Sequence, residues 1–126
     1  MTLMHYIGGA EVAGTSGREQ DVFNPATGAA TTSVPLASTA EVGTAVAAAK
    51  AALPGWADTP AAKRAQVMFN FRDLVRKNLD ELATLISSQH GKTFDDAKGE
   101  MARGIEVVEF ACGIPHALKG EYSPQV

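Results

Sequence analysis

Thr93 to Gly120, TFDDAKGEMARGIEVVEFACGIPHALKG, is the stretch whose reading decides the fold. Thr93 followed by Asp96 is a capping-box-like start, in which a hydroxyl and a carboxylate occupy free backbone N–H groups. Ala97, Met101, Ile105, Val108 and Cys112 recur at three- and four-residue steps, which predicts a helix with one apolar face. Gly113–Ile114–Pro115 marks its end. From Thr93 to Ile114 such a helix runs roughly 33 Å, at about 1.5 Å per residue. Glu100, Arg103, Val107 and Phe110 fall on a different face. Arg103 is therefore set beside the core stripe, where a cation can read a ligand.

Working back toward the amino terminus, three more helices precede this one. Asn78 and Glu81 open a helix that turns Leu79, Leu82, Ala83 and Ile86 inward, with Gly91 as its C-terminal glycine. Before it, Thr59–Pro60 reads as a cap followed by proline at the first helical position. That helix is expected to bury Val67, Phe71, Leu74 and Val75, leaving Arg64, Arg72 and Arg76 on other faces. Ser38 and Glu41 form a capping box for the first helix, whose stripe is Val42, Ala45, Val46, Ala49 and Leu53. Pro54–Gly55 is expected to end it, with Trp56 packing back onto the connection.

The first 37 residues read as strands. His5–Ile7 and Glu11–Val12 flank Gly8–Gly9, and two successive glycines supply the positive φ of a tight hairpin turn. Gly14–Thr15–Ser16–Gly17 is a polar loop. Asp21–Phe23 and Thr31–Pro35 form a second hairpin around Asn24–Pro25–Ala26–Thr27–Gly28, where Pro25 holds Asn24 extended and Gly28 can take the left-handed position. The expected architecture is an α+β fragment: two short hairpins over residues 1–37, about four helices over 38–118, and an extended exit over 119–126. The chain reaches Val126 with no closing element, which predicts a portion of a longer subunit.

Composition narrows the function. The chain has 126 residues, 45% hydrophobic and 20% charged, which is globular and not disordered. A formal net charge of −3 and a pI near 5.5 argue against a nucleic-acid-binding surface. No apolar run approaches the ~20 residues that span a bilayer. The start MTLMHYIGG resembles neither a secretory leader nor a transit peptide, so a cytoplasmic setting is expected. One cysteine forbids an internal disulfide and suits a reducing compartment.

The search for chemistry returns no complete active site. There is no G-x-G-x-x-G between strand and helix and no G-x-x-x-x-G-K-[ST] phosphate loop. A metal would need His5, His90, His116 or Cys112 to converge, and Pro115 breaks the helical face between Cys112 and His116. Cys112 reads as a buried free thiol or, less economically, as a nucleophile, since it lies on the apolar stripe. His90 beside Gly91 reads as a helix-end residue favoured by the local dipole. Arg103 admits two readings, a surface ion pair with Glu100 or Glu106 at three-residue spacing, or a planar fork for a carboxylate. Spacing alone favours the ion pair.

Several motifs resemble a known family. VFNPATG at 22–28 and VPLAS at 34–38 are similar to the amino-terminal hairpin of the aldehyde dehydrogenases, and HGKT at 90–93 with Gly99–Glu100 resembles the helix junction that follows. RGIEVVEFACGIPHALKGEYSPQV at 103–126, SGREQDVFNPATG at 16–28 and MFNFRDLVRKNLDELATLI at 68–86 resemble the CoA-acylating methylmalonate-semialdehyde dehydrogenase branch, enzymes of valine and myo-inositol breakdown. The resemblance covers nearly the whole chain, but only the start of the family's α/β subunit. It implies that residues 1–126 are the amino-terminal part of a coenzyme-binding domain, whose partner is the remainder of the subunit in a homotetrameric parent.

NAD and CoA are then cofactors of the parent, with none bound by this chain alone. The nucleophilic cysteine, the nucleotide loops and the oxyanion-hole asparagine lie further along, and Cys112 does not match the catalytic cysteine. The branch uses an arginine in R-G-[IL]-E-x-V-E-F to hold the substrate carboxylate. Arg103 occupies that position, which turns the balance toward substrate recognition. The alternative is a non-catalytic scaffold or interaction module derived from the family. The apolar groups on more than one face of the last helix speak for enclosure by further chain instead.

Overall fold

The computed structural model describes residues 3–121, and the chain divides into two compact units, Met1–Asp58 and Thr59–Val126. The first unit holds two separate antiparallel hairpins and one helix. Strands β1 (His5–Ile7) and β2 (Ala10–Val12) pair with Ile7 opposite Ala10. The turn between them places Gly8 at φ 63° and Gly9 at φ 84°, left-handed values that a Cβ would oppose. Strands β3 (Glu19–Phe23) and β4 (Ala30–Pro35) pair with an irregularity between Val22 and Phe23. In their connection the Asn24 side chain accepts from the N–H of Ala26 and of Thr27, and Gly28 takes φ 71°. Gly28 therefore takes the left-handed position expected of it, and the Asn24 side chain adds bonds that the sequence reading did not include.

Helix α1 (Thr39–Ala57) starts with a complete capping box: the Ser38 hydroxyl accepts from the Glu41 N–H, and the Glu41 carboxylate accepts from the Ser38 N–H. Contrary to expectation, Pro54 does not end it. The helix continues through Pro54 for one more turn, and the Asp58 N–H closes onto the Pro54 carbonyl. Proline forfeits its own hydrogen bond, but so near the end only one turn of helix depends on it. Trp56 lies on that last turn, 47% exposed.

The second unit is helical. It comprises α2 (Ala61–Lys77), α3 (Leu79–His90), α4 (Phe94–Cys112) and the single-turn α5 (Ile114–Ala117). Pro60 occupies the α2 cap position itself, so the helix starts one residue later than the sequence suggested, and the Pro60 carbonyl accepts from the N–H groups of Lys63 and Arg64. Asn78 joins α2 to α3 and turns its amide back to the Leu74 carbonyl. Gly91 closes α3 at φ 85°. Thr93 caps α4 through its hydroxyl, which accepts from the Asp96 N–H. The short α5 was not expected. Pro115 sits in its first turn, where no intrahelical N–H is required.

Helix α4 packs against both α2 and α3. Ala97 of α4 and Ala83 of α3 are fully buried, and Ala65 of α2 and Cys112 of α4 nearly so. Such small side chains let helix axes approach closely. The α4 stripe of Ala97, Met101, Ile105, Val108 and Cys112 is its covered face, as the spacing predicted, and so is Leu79, Leu82, Ala83 and Ile86 on α3. Helix α2 corrects the expectation. Val67, Phe71 and Leu74 are about half exposed or more, while Arg64, Ala65, Met68, Arg72 and Val75 form the covered side. Ion pairs tie the helices: Arg76 to Glu109 between α2 and α4, and Lys98 to Asp80 at 2.8 Å between α4 and α3. Residues 119–121 have no regular structure, and the rest of the expected exit lies outside the described residues.

Candidate functional site

Arg103 stands on the exposed side of α4, at the middle of its 19 residues. With Lys92, Asp95, Asp96, Gly99 and Glu100 it lines an open depression of about 450 Å³. Gly99 and Glu100 stand four and three residues before Arg103, on the same side of the helix. Gly99 has no side chain, and a Cβ there would meet nothing within 4 Å, which leaves the floor open.

Neither ion pair available to Arg103 by spacing forms. Glu100 is engaged by Lys92, whose ammonium donates to its carboxylate. This hydrogen bond and the lysine's charge hold the Glu100 carboxyl below its ordinary range. Glu106 lies one turn further along α4 and forms no ion pair with Arg103. Among the described residues the Arg103 side chain makes no ion pair and no hydrogen bond. A guanidinium with five donors and no acceptor in reach is suited to bind an incoming carboxylate in a fork.

The other candidates separate. Cys112 is buried on the covered face of α4 and free. His90 ends α3, His116 lies in α5, and His5 lies in β1. No group of three or more metal-binding side chains occurs among the described residues. Nor is any described helix long and apolar enough to cross a membrane.

Sequence reading missed a second polar cluster, in the first unit. The Glu41 carboxylate accepts from the Ser38 N–H and hydroxyl and from the Thr15 N–H and hydroxyl. These bonds, the backbone ones foremost, lower its pKa to about 2. His5 Nε2 is 3.9 Å from the same carboxylate. Ser16 and Arg18 add bonds to the carbonyls of Leu36 and Ala37. The loop at 14–18 is thus a clasp holding the α1 start, a role that a Gly-Thr-Ser-Gly string does not announce.

The chain is similar to known proteins over nearly its whole length. The aldehyde dehydrogenase family model matches residues 12–125. A malonate-semialdehyde dehydrogenase of Pseudomonas aeruginosa is 53% identical over 125 residues, which are 99% of this chain and 25% of that protein. The human mitochondrial methylmalonate-semialdehyde/malonate-semialdehyde dehydrogenase [acylating] is 41% identical over 99% of this chain and 23% of its own length. A crystal structure from Sinorhizobium meliloti, complexed with NAD and assigned as a methylmalonate-semialdehyde dehydrogenase, superposes with a TM-score of 0.94. It is 51% identical over 98% of this chain and 25% of its own. The chain therefore spans about a quarter of the length of the relatives it matches. With its hairpins, its helices and nearly its whole length matched, this chain belongs to the aldehyde dehydrogenase family.

Proposed function

We propose that this chain is the amino-terminal portion of an NAD-dependent, CoA-acylating methylmalonate- or malonate-semialdehyde dehydrogenase, and that Arg103 receives the substrate's carboxylate. The observation that carries this reading is the unpartnered guanidinium of Arg103 in an open depression whose Glu100 carboxylate is already taken by Lys92. A semialdehyde of this class carries an aldehyde at one end and a carboxylate at the other. Fixing the carboxylate by two parallel hydrogen bonds would orient the aldehyde toward the reacting groups supplied by the remainder of the subunit.

In this reading methylmalonate semialdehyde gives propionyl-CoA with loss of the carboxyl group, and malonate semialdehyde gives acetyl-CoA. The described residues hold no glycine-rich loop between a strand and a helix that could cradle a pyrophosphate. This chain's share of the work is accordingly the substrate contact and the scaffold around the coenzyme-binding domain, not the hydride or acyl transfer. The partner is the remainder of the subunit, in a homotetramer, and the single free cysteine suits a reducing cytoplasm.

The test is an assay of the complete enzyme. NADH should form on addition of the semialdehyde only when CoA is present, with a thioester as product. Formation of the free acid at an equal rate without CoA would place the protein elsewhere in the family.

A further inference from the structure

Arg103 and Glu100 stand three residues apart on α4 with the acid on the N-terminal side, the order in which opposite charges pair well on a helix. Both side chains lean toward the helix start. Arg103 and Glu100 line the same depression. For Glu100 the lean leads back toward Lys92, which precedes the Thr93 cap. The pair that forms is Lys92 with Glu100, and the arginine is left open. Lys92 is brought there by the turn at Gly91, whose left-handed φ of 85° ends α3 and sends the chain into α4.

Resting on the Arg103 reading above, we propose that Lys92 is a positioning residue that holds the Glu100 carboxylate off Arg103 and so keeps the guanidinium free for a substrate carboxylate. Without that lysine, Glu100, which lines the same depression, is released to compete intramolecularly with the substrate for the arginine. The competition is selective. It touches only substrates that use Arg103, and it acts on binding and not on the reacting aldehyde. Asp95 and Asp96, the other acids of the depression, lie two turns from Arg103 near the helix start, where the N-terminal dipole already favours their charge. The lowered Glu100 carboxyl is consistent with this, since the lysine's hydrogen bond is its main cause.

The test uses the complete enzyme with methylmalonate semialdehyde and with propanal, which has the same carbon skeleton without the carboxylate. Lys92→Met is expected to raise KM for the semialdehyde about two- to fivefold, the range that exposed ion pairs are worth. The semialdehyde-to-propanal ratio of kcat/KM falls by the same factor. Adding Glu100→Gln to Lys92→Met should restore the ratio, because the competing anion is gone. An unchanged ratio in Lys92→Met overturns the inference. So does a ratio that stays depressed in the double variant, which would mean that the lysine meets the substrate itself or supports the fold. Arg103→Ala separates the two levels. If it leaves the ratio unmoved, the substrate-carboxylate reading fails and this inference with it; if it lowers the ratio while Lys92→Met does not, the inference alone fails.

Discussion

The carboxylate of Glu41 joins two parts of the first unit, accepting from Ser38 at the start of α1 and from Thr15 in the preceding loop. Its pKa of about 2, against an ordinary 4.5, fixes the sign of a pH effect. A lowered folded-state value means that the ionised form stabilises the fold at pH above 4.5, and that this contribution is lost as pH falls toward about 2. Denaturant unfolding across that window should show the wild type losing stability and Glu41→Gln losing less, from a lower starting point at neutral pH. Equal slopes would detach the clasp from Glu41. Half of this site was legible: Ser38 and Glu41 at capping-box spacing announce their reciprocal bonds. The Thr15 half was not, because it depends on a contact across 26 residues that no local pattern encodes. Arg103 divides similarly. Its exposure followed from helical spacing, but its freedom follows from Lys92 reaching Glu100, which depends on how the turn at Gly91 aims the chain.

Among the elements, α3 and α4 were read correctly because their apolar stripes meet neighbours present within this chain. Helix α2 was not, for a physical reason. It has two apolar sides, a larger one of Val67, Phe71 and Leu74, and a smaller one built on Ala65, Met68 and Val75. Hydrophobicity favours burying the larger, yet α4 and its buried Ala97 call for the flatter side. The stems of Arg64 and Arg72 share that covered side, Arg72 with its guanidinium on Asp73 and 5.3 Å from the Phe69 ring. Caps and turn glycines transferred more directly from sequence to structure. Gly91→Ala should cost about 1 kcal/mol or more, since a Cβ opposes its φ of 85°. Chemical denaturation would measure this, and a neutral result would mean that the α3–α4 turn relaxes to another conformation.

For the whole molecule, the balance of covered and open apolar surface is the governing fact. Among the described residues the buried ones are small, Pro35, Ala65, Ala83, Ala97 and Cys112, whereas Phe110 is 81% exposed and Val107 69%. In the first unit α1 buries no residue, and Val42, Val46 and Leu53 lie open along it. Apolar faces of this extent mark surfaces meant for a partner. As an isolated 126-residue chain the protein should self-associate and bind an apolar dye, with sedimentation showing mass that grows with concentration. A compact, dye-silent monomer at high concentration would contradict this. Family membership was legible in the sequence because turn and cap motifs such as NPATG and HGKT are local. What covers the open faces was not, since a face's partner leaves its mark on the face only as hydrophobicity.

The account centres on Arg103 as the group that reads a substrate carboxylate, and steady-state kinetics of Arg103→Ala in the complete enzyme tests it most directly. A lost charge-assisted hydrogen bond is worth about 1.5–3 kcal/mol. The kcat/KM for methylmalonate semialdehyde should therefore fall by roughly ten- to a hundredfold relative to that for propanal. Arg103→Lys should recover only part of the loss, because an ammonium cannot present the fork. Equal losses for both aldehydes would contradict the account and make Arg103 a structural residue of α4.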